Sequence, residues 1–322
     1  MFTVFLMKKS ILIASIFVLL IAFLGQDYIG SGEHTFNYMK AKIGCIEEYK
    51  TQECETYTPL FHILASPFTF QEKQFWFFCV FLFGFIMPLS FYYLTKHWIS
   101  VWLFISSTSA FYYLIDGVYP QALAMLICIL IFAVKDWRWQ SVLVLLATMA
   151  HGHGFWLGMT AFTLNRAWII LEPKIKDISF RDIMLGCSSV FGLNKPEILD
   201  QQVQIDAIGK LGSGAYHINF ANILSLFTKI FPLPFWIISI WYSLKYKIRW
   251  DMFAMALIAL VFAFTSSGSH RSWYLIPLMF IPALSEFYIN LSFKYKCIFL
   301  IFTIGCFVLQ IWMWFNYKTL CQ

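Results

Sequence analysis

Long apolar runs recur along this chain, separated by short connections that carry most of its lysine and arginine, and few folds are open to a chain built that way. An apolar run of roughly 17 to 25 residues can cross a bilayer as a helix, and in hydrocarbon the backbone must satisfy its own hydrogen bonds. Nine segments are candidate crossings, several of them short: Ile11–Leu24, Phe75–Leu94, Ile99–Ile115, Ala122–Val134, Val142–Leu164, Phe231–Leu244, Met252–Thr265, Trp273–Ile289 and Ile298–Phe315. Gly152 and Gly154 could split the fifth into two half-length helices, and Ile183–Leu193 could add a short or re-entrant segment. The expected fold is therefore an all-α polytopic bundle of about 9–11 spans, one integral membrane domain over residues 1–322. Composition agrees: 60% of the 322 residues are hydrophobic and 12% charged, more apolar than a soluble surface tolerates.

Orientation follows from the basic residues. Lys8 and Lys9 precede the first run, and alternation of the runs brings Lys96, Lys135, Arg138, Lys245, Lys247, Arg249, Lys294 and Lys296 to the same side. An excess of lysine and arginine marks the cytoplasmic side. The alternation holds through the middle of the chain with either one long crossing or three shorter ones between Gln140 and Asn222. The net charge of +6 is thus spent on orientation, and nucleic acid is not an expected partner. The first run reads as an uncleaved span, because no small-x-small cleavage site follows it and further apolar runs do.

Two long connections remain, 26–74 and 172–219. The first is an outer loop with an expected amphipathic helix over Thr35–Ile43 and a second segment, Tyr57–Ala65, whose Pro59 suits a first helical turn; both would lie along the membrane surface. Cys45 and Cys54, nine positions apart in that loop, could close a disulfide, whereas the other six cysteines sit in or beside apolar runs or at the C-terminus and read as small apolar residues. Neither connection contains a phosphate-cradling glycine loop, which argues against ATP or a nucleotide sugar as a direct ligand.

On this topology the polar motifs at the ends of the runs all face outward. Asp27 directly follows the first run and Glu33 lies six residues later; either carboxylate could take a proton from an attacking hydroxyl, or hold a divalent cation with Asp116 as a second ligand, or Asp27 could merely cap the loop or the Thr35 helix. His151 and His153, with intervening glycines, mark either a helix break exposed to a cavity or a point where glycines let helices pack closely. Arg271, beside His270 at the head of a late apolar run, could grip a phosphate through two parallel hydrogen bonds, or snorkel to lipid headgroups.

These motifs carry a resemblance. An acidic residue after the first run, followed by a long outer loop that ends Tyr57-Thr58-Pro59-Leu60-Phe61-His62, resembles the GT-C superfamily of membrane glycosyltransferases. Tyr119-Pro120-Gln121-Ala122, Lys135-Asp136-Trp137-Arg138-Trp139 and the approach to His151 are similar to that superfamily and to polysaccharide polymerases of the EpsG or Wzy type, as is Arg271 followed by Trp273, Tyr274 and Pro277. EpsG-type proteins usually carry an arginine before the glutamine matched here by Gln121, where this chain has Pro120. The resemblance implies a polyprenyl-phosphate or polyprenyl-pyrophosphate sugar donor, a glycan or lipid-linked acceptor, and a bacterial inner (plasma) membrane. Asp27 would match the catalytic carboxylate, with Glu33 assisting. His151, His153, His270, Arg271, Tyr57 and His62 would bind the donor phosphate or sugar, and Asp116 would hold a metal if one is used. Polymerisation of lipid-linked repeat units, a transporter or flippase, and acyl transfer remain the alternative expectations.

Overall fold

The structure is a computed structural model and describes residues 2–24, 59–68, 71–107, 110, 119–151, 154–177, 233–265 and 277–320. Helices account for nearly all of these residues, and no strand occurs among them. In chain order the helices are α1 (Phe2–Leu24), α2 (Leu60–Ala65), α3 (Glu72–Cys79), α4 (Met87–Thr95), α5 (Trp98–Ile105), α6 (Tyr119–Ala133), α7 (Trp137–Ala150), α8 (Gly154–Asp177), α9 (Leu233–Tyr246), α10 (Trp250–Thr265), α11 (Pro277–Asn290) and α12 (Phe293–Leu320). A π-helical segment, Val80–Ile86, joins α3 to α4 without interruption. Among the described residues two helical stretches, Lys73–Thr95 and Phe293–Trp312, are long and apolar enough to cross a membrane, and Tyr119–Ala133 and Trp250–Ala259 are shorter apolar helices.

The chain divides into two compact units, residues 1–163 with 284–322 and residues 164–283, the divisions falling within α8 and α11. In the first unit α1 packs on α5 and on the π-helical segment, α4 packs on α5 and α6, and α6 on α7. Local chemistry sets the turns. Asp136 caps α7 by accepting from the Arg138 backbone N–H at 2.9 Å. The fully buried Gln140 amide donates to Ile131 O at 2.9 Å and Val134 O at 2.7 Å, satisfying carbonyls that the end of α6 leaves open. The α4–α5 turn rests on Lys96 in the left-handed region, φ 63°, with the Thr95 hydroxyl accepting from His97 N–H at 3.2 Å.

The fifth apolar run, Val142–Leu164, is two helices, the split that Gly152 and Gly154 allow. α7 ends at Ala150, and α8 folds back along it: a Cβ on Gly154 would collide with Ala147 O, and one on Gly158 would stand 3.3 Å from Val144 Cα. Contacts that step backward along α7 as they step forward along α8 define an antiparallel hairpin, and its glycines let the backbones approach. Of the run Ile99–Ile115, the part through Ile105 lies in α5, which ends at a turn at Ser106 and Ser107, and Ala110 is again helical. α12 docks on α5 through Trp102 Nε1, which donates to Thr303 Oγ1 at 2.8 Å, and its Phe307 ring lies 6.3 Å from Phe17 of α1.

The core is mainly apolar but holds polar side chains too, and many large apolar side chains are exposed. Ser10, Ser90, Ser100, Gln121, Gln140, Asn165, Ser239, Asp251, Ser285 and Thr303 are buried, while large apolar residues such as Leu12, Ile16, Phe23, Trp156, Ile170, Ile301 and Val308 are exposed. Exposed apolar area on this scale in water would be an aggregation liability or an interface.

Candidate functional site

Two ends of the first unit can be told apart by their residues. At one end Lys96 and Lys135 lie close enough for their charges to interact; burial and then the Lys135 charge push the Lys96 ammonium below its ordinary pKa. Lys9 Nζ lies 5.9 Å from the centroid of the Trp98 ring, Trp98 meets Tyr288 edge-on at 6.0 Å, and Lys296 Nζ is 5.7 Å from the Tyr288 ring. Four lysines that the sequence assigns to one side of a membrane therefore converge at one end, from α1, the α4–α5 turn, the α6–α7 connection and α12. From this basic end α7 runs 14 residues, about 21 Å at 1.5 Å per residue, to the turn that holds His151. His151 thus stands at the opposite, distal end.

The distal end is built on an aromatic cluster. The Phe61 ring of α2 stacks on Tyr119 at 5.8 Å and on Phe83 of the π-helical segment at 6.4 Å, and it meets Phe75 edge-on at 6.4 Å. Tyr119 in turn lies 6° from parallel with Phe83 at 5.8 Å. α2 was expected along a membrane surface; instead its Phe61 and His62 are buried and it packs on α6 and α7. His62 and His151 are consequently carried by elements that meet, α2 and α7. His151 is half-buried with extended backbone, its N–H donating to Ala147 O at 3.2 Å and its carbonyl accepting from Gly154 N–H at 2.7 Å. Of the two sequence readings for this region, close packing accounts for Gly154 and Gly158, and the break between α7 and α8 also occurs.

Buried polar groups of this unit have open hydrogen-bonding capacity. Trp76 Nε1, midway along α3, and Gln121 Oε1, in the first turn of α6, are buried and make no hydrogen bond, and the same holds for Ser106 Oγ at the end of α5. Buried donors and acceptors in native proteins almost always find a partner, so each such group marks a place where water or a ligand would be favoured. Trp76 went unremarked in the sequence because a tryptophan in an apolar run gives no sign of its buried N–H.

Asp27, Glu33, Tyr57, Asp116, His153, His270 and Arg271 lie outside the described residues, as do Cys45, Cys54 and the Thr35–Ile43 segment. Among the described residues no group of three or more His, Cys, Asp or Glu could hold a metal ion, and Cys79, Cys128, Cys297 and Cys306 are free thiols.

The second unit holds a polar cluster that sequence reasoning missed. The Asp251 carboxylate, fully buried at the start of α10, accepts from Arg249 Nε at 3.0 Å and Nη2 at 2.8 Å, and from Asn165 Nδ2 at 2.9 Å. Arg249 was read as a mark of orientation alone; the signal available was an acid two residues later, at the head of an apolar run. These bonds tie the start of α10 to Asn165 of α8 within the unit. Comparison with protein-family models, with curated proteins and with solved structures finds no match.

Proposed function

We propose that this chain is a multi-pass membrane glycosyltransferase of GT-C type, which moves a sugar from a polyprenyl-phosphate or polyprenyl-pyrophosphate donor to an acceptor hydroxyl at the extracytoplasmic face. The observation that carries the reading is the distal end of the first unit. His62 and His151 are carried there by elements that pack on one another beside a stacked aromatic cluster, and the Trp76 N–H and Gln121 carbonyl of the neighbouring helices are open, in a unit whose opposite end carries lysines. Sugar hydroxyls match that set, because they both donate and accept hydrogen bonds while sugar C–H faces pack on aromatic rings. Polar groups buried beneath apolar surfaces support a bilayer setting, and lysines at one end support that end as cytoplasmic.

In this mechanism Asp27, three positions beyond the end of α1, is the base toward the acceptor hydroxyl, with Glu33 as its helper. Arg271 and His270 hold the leaving phosphate as its charge develops, and His151 or His153 orients the sugar. A divalent cation, if used, would take Asp116 as a ligand. A transport reading has one observation in its favour: α5 stops at Ser106 and Ser107, both buried, and Phe104 just before them stacks on Phe91 of α4 at 4.9 Å, well inside that helix. Interrupted helices are common in transporters.

The test uses purified protein with a panel of polyprenyl-linked sugars. Wild type should transfer sugar, whereas Asp27→Asn should retain its thermal midpoint and lose on the order of 100-fold in rate, the lower range of a general-base contribution. Addition of one sugar supports transfer, and a ladder of repeat units supports the polymerase alternative. Full activity in Asp27→Asn would remove that assignment. Movement of the donor across vesicles without chemistry would replace the enzymatic reading with transport.

A further inference from the structure

The basic end of the first unit combines with a feature of α1 that the proposed sugar chemistry does not use. Lys9, Leu12, Ile16, Leu19 and Phe23 are spaced by three and four residues, which aligns them as one stripe along the helix. All five are exposed, and Ile16, Leu19, Leu20 and Phe23 line a shallow, almost wholly apolar trough of about 360 Å³. The stripe therefore begins in an ammonium and continues as hydrocarbon. Its charged head lies 5.9 Å from the Trp98 ring, Trp98 meets Tyr288, which Lys296 approaches to 5.7 Å, and Lys96, two residues before Trp98, feels the charge of Lys135. Glu286 Oε1 lies 3.3 Å from His97 Nε2, and Asp136 caps α7.

We propose that the basic end is a binding site for an anionic phospholipid. The lipid's phosphodiester sits among Lys9, Lys96, Lys135 and Lys296, and an acyl chain lies in the α1 trough. The geometry supplies both halves of such a ligand in the right order along one helix. Lysines from four chain segments offer cationic donors at the depth of a headgroup, with aromatic side chains at the same level, where amphipathic rings favour the boundary between lipid and water. Ile16 to Phe23 begin about 10 Å further along α1, at acyl-chain depth. A phosphate also relieves the mutual repulsion of Lys96 and Lys135, which a zwitterionic headgroup, carrying its own ammonium, does less well. A bound lipid of this kind would hold α1, α5 and α12 together at the end remote from the sugar site.

The site rests on the membrane-spanning reading given above, yet its test depends neither on sugar transfer nor on which side of the membrane the end faces. Protein in mixed detergent micelles is titrated with phosphatidylglycerol or phosphatidylcholine, and retained lipid is counted by native mass spectrometry. Phosphatidylglycerol should be retained selectively, and Lys9→Gln and Lys296→Gln should each weaken retention about fivefold. Lys73→Gln, an exposed lysine at the start of α3 and outside the cluster, should leave it unchanged. Equal retention of phosphatidylcholine, equal loss in Lys73→Gln, or displacement of the lipid by the same concentration of inorganic phosphate would each overturn the site. A protein that retains phosphatidylglycerol and transfers no sugar keeps the lipid site and loses the enzymatic reading; the reverse result loses the lipid site alone.

Discussion

Replacing Arg249 with Met should be among the most destabilising single changes outside the apolar core. The Asp251 carboxylate is fully buried and receives two hydrogen bonds from the Arg249 guanidinium, at 2.8 and 3.0 Å, against one from Asn165. Arg249→Met removes the counter-charge and leaves an ionised carboxylate with a single neutral donor. Breaking a buried pair from one side costs about 3–5 kcal/mol, mostly the penalty of the stranded charge. Two hydrogen bonds to charged groups, at about 1.5–3 kcal/mol each, lead to the same range. Because about a quarter of the Arg249 side chain is exposed, water can reach part of the site, and the lower figure of about 3 kcal/mol applies. The stranded-charge argument also predicts rescue: the double variant Arg249→Met, Asp251→Leu should recover most of the loss, since an apolar pair of similar volume is often neutral or better. Asn165→Ala leaves the ion pair in place and should cost about 1 kcal/mol. Equilibrium unfolding in mixed micelles measures all four proteins. A loss below about 1 kcal/mol in Arg249→Met, or a double variant no more stable than the single, would refute the reasoning.

Further outcomes follow from the packing. Gly154→Ala should disrupt the α7–α8 hairpin because the new Cβ would meet the Ala147 carbonyl, and Gly158→Val should cost about 1–3 kcal/mol against Val144, while Gly305→Ala, with open space around it, should cost nothing; thermal midpoints in detergent rank the three. Trp102→Phe removes the hydrogen bond to Thr303 and should loosen α12 by about 1 kcal/mol, seen as faster proteolysis of α12.

The apolar runs made the helices legible, because a run with the length and composition for burial in lipid has helix as its one satisfactory backbone. α1, the continuous stretch 72–95 and α12 fall where the runs are, α1 starting well before its run and the other two a few residues before theirs. The end of α7 was legible only as an alternative: glycines announce close packing or a break, and the choice depends on Val144 and Ala147 meeting Gly158, which is tertiary information. The Asn165–Asp251 contact joins residues 86 apart, and nothing in either local pattern points to the other. Alternation of the apolar runs grouped Lys9, Lys96, Lys135 and Lys296, and the contacts of Lys9 and Lys296 with the Trp98–Tyr288 ring pair and of Lys96 with Lys135 agree with that grouping. Of the candidate site, His62 and His151 could be located in the fold. The burial of His62 was missed because Pro59 and the flanking polar loop read as a surface helix, whereas Phe61 carries α2 into the aromatic cluster.

The account stands on the two ends of the first unit facing opposite sides of a membrane. Single cysteines placed at 96, 135, 151 and 296 in a cysteine-free background, labelled in intact cells with a membrane-impermeant maleimide, test this directly. The account predicts labelling at 151 from outside and at 96, 135 and 296 only after the membrane is opened. Labelling of 151 from the same side as 135 would contradict it, because α7 would then not separate the lysine end from the histidine end.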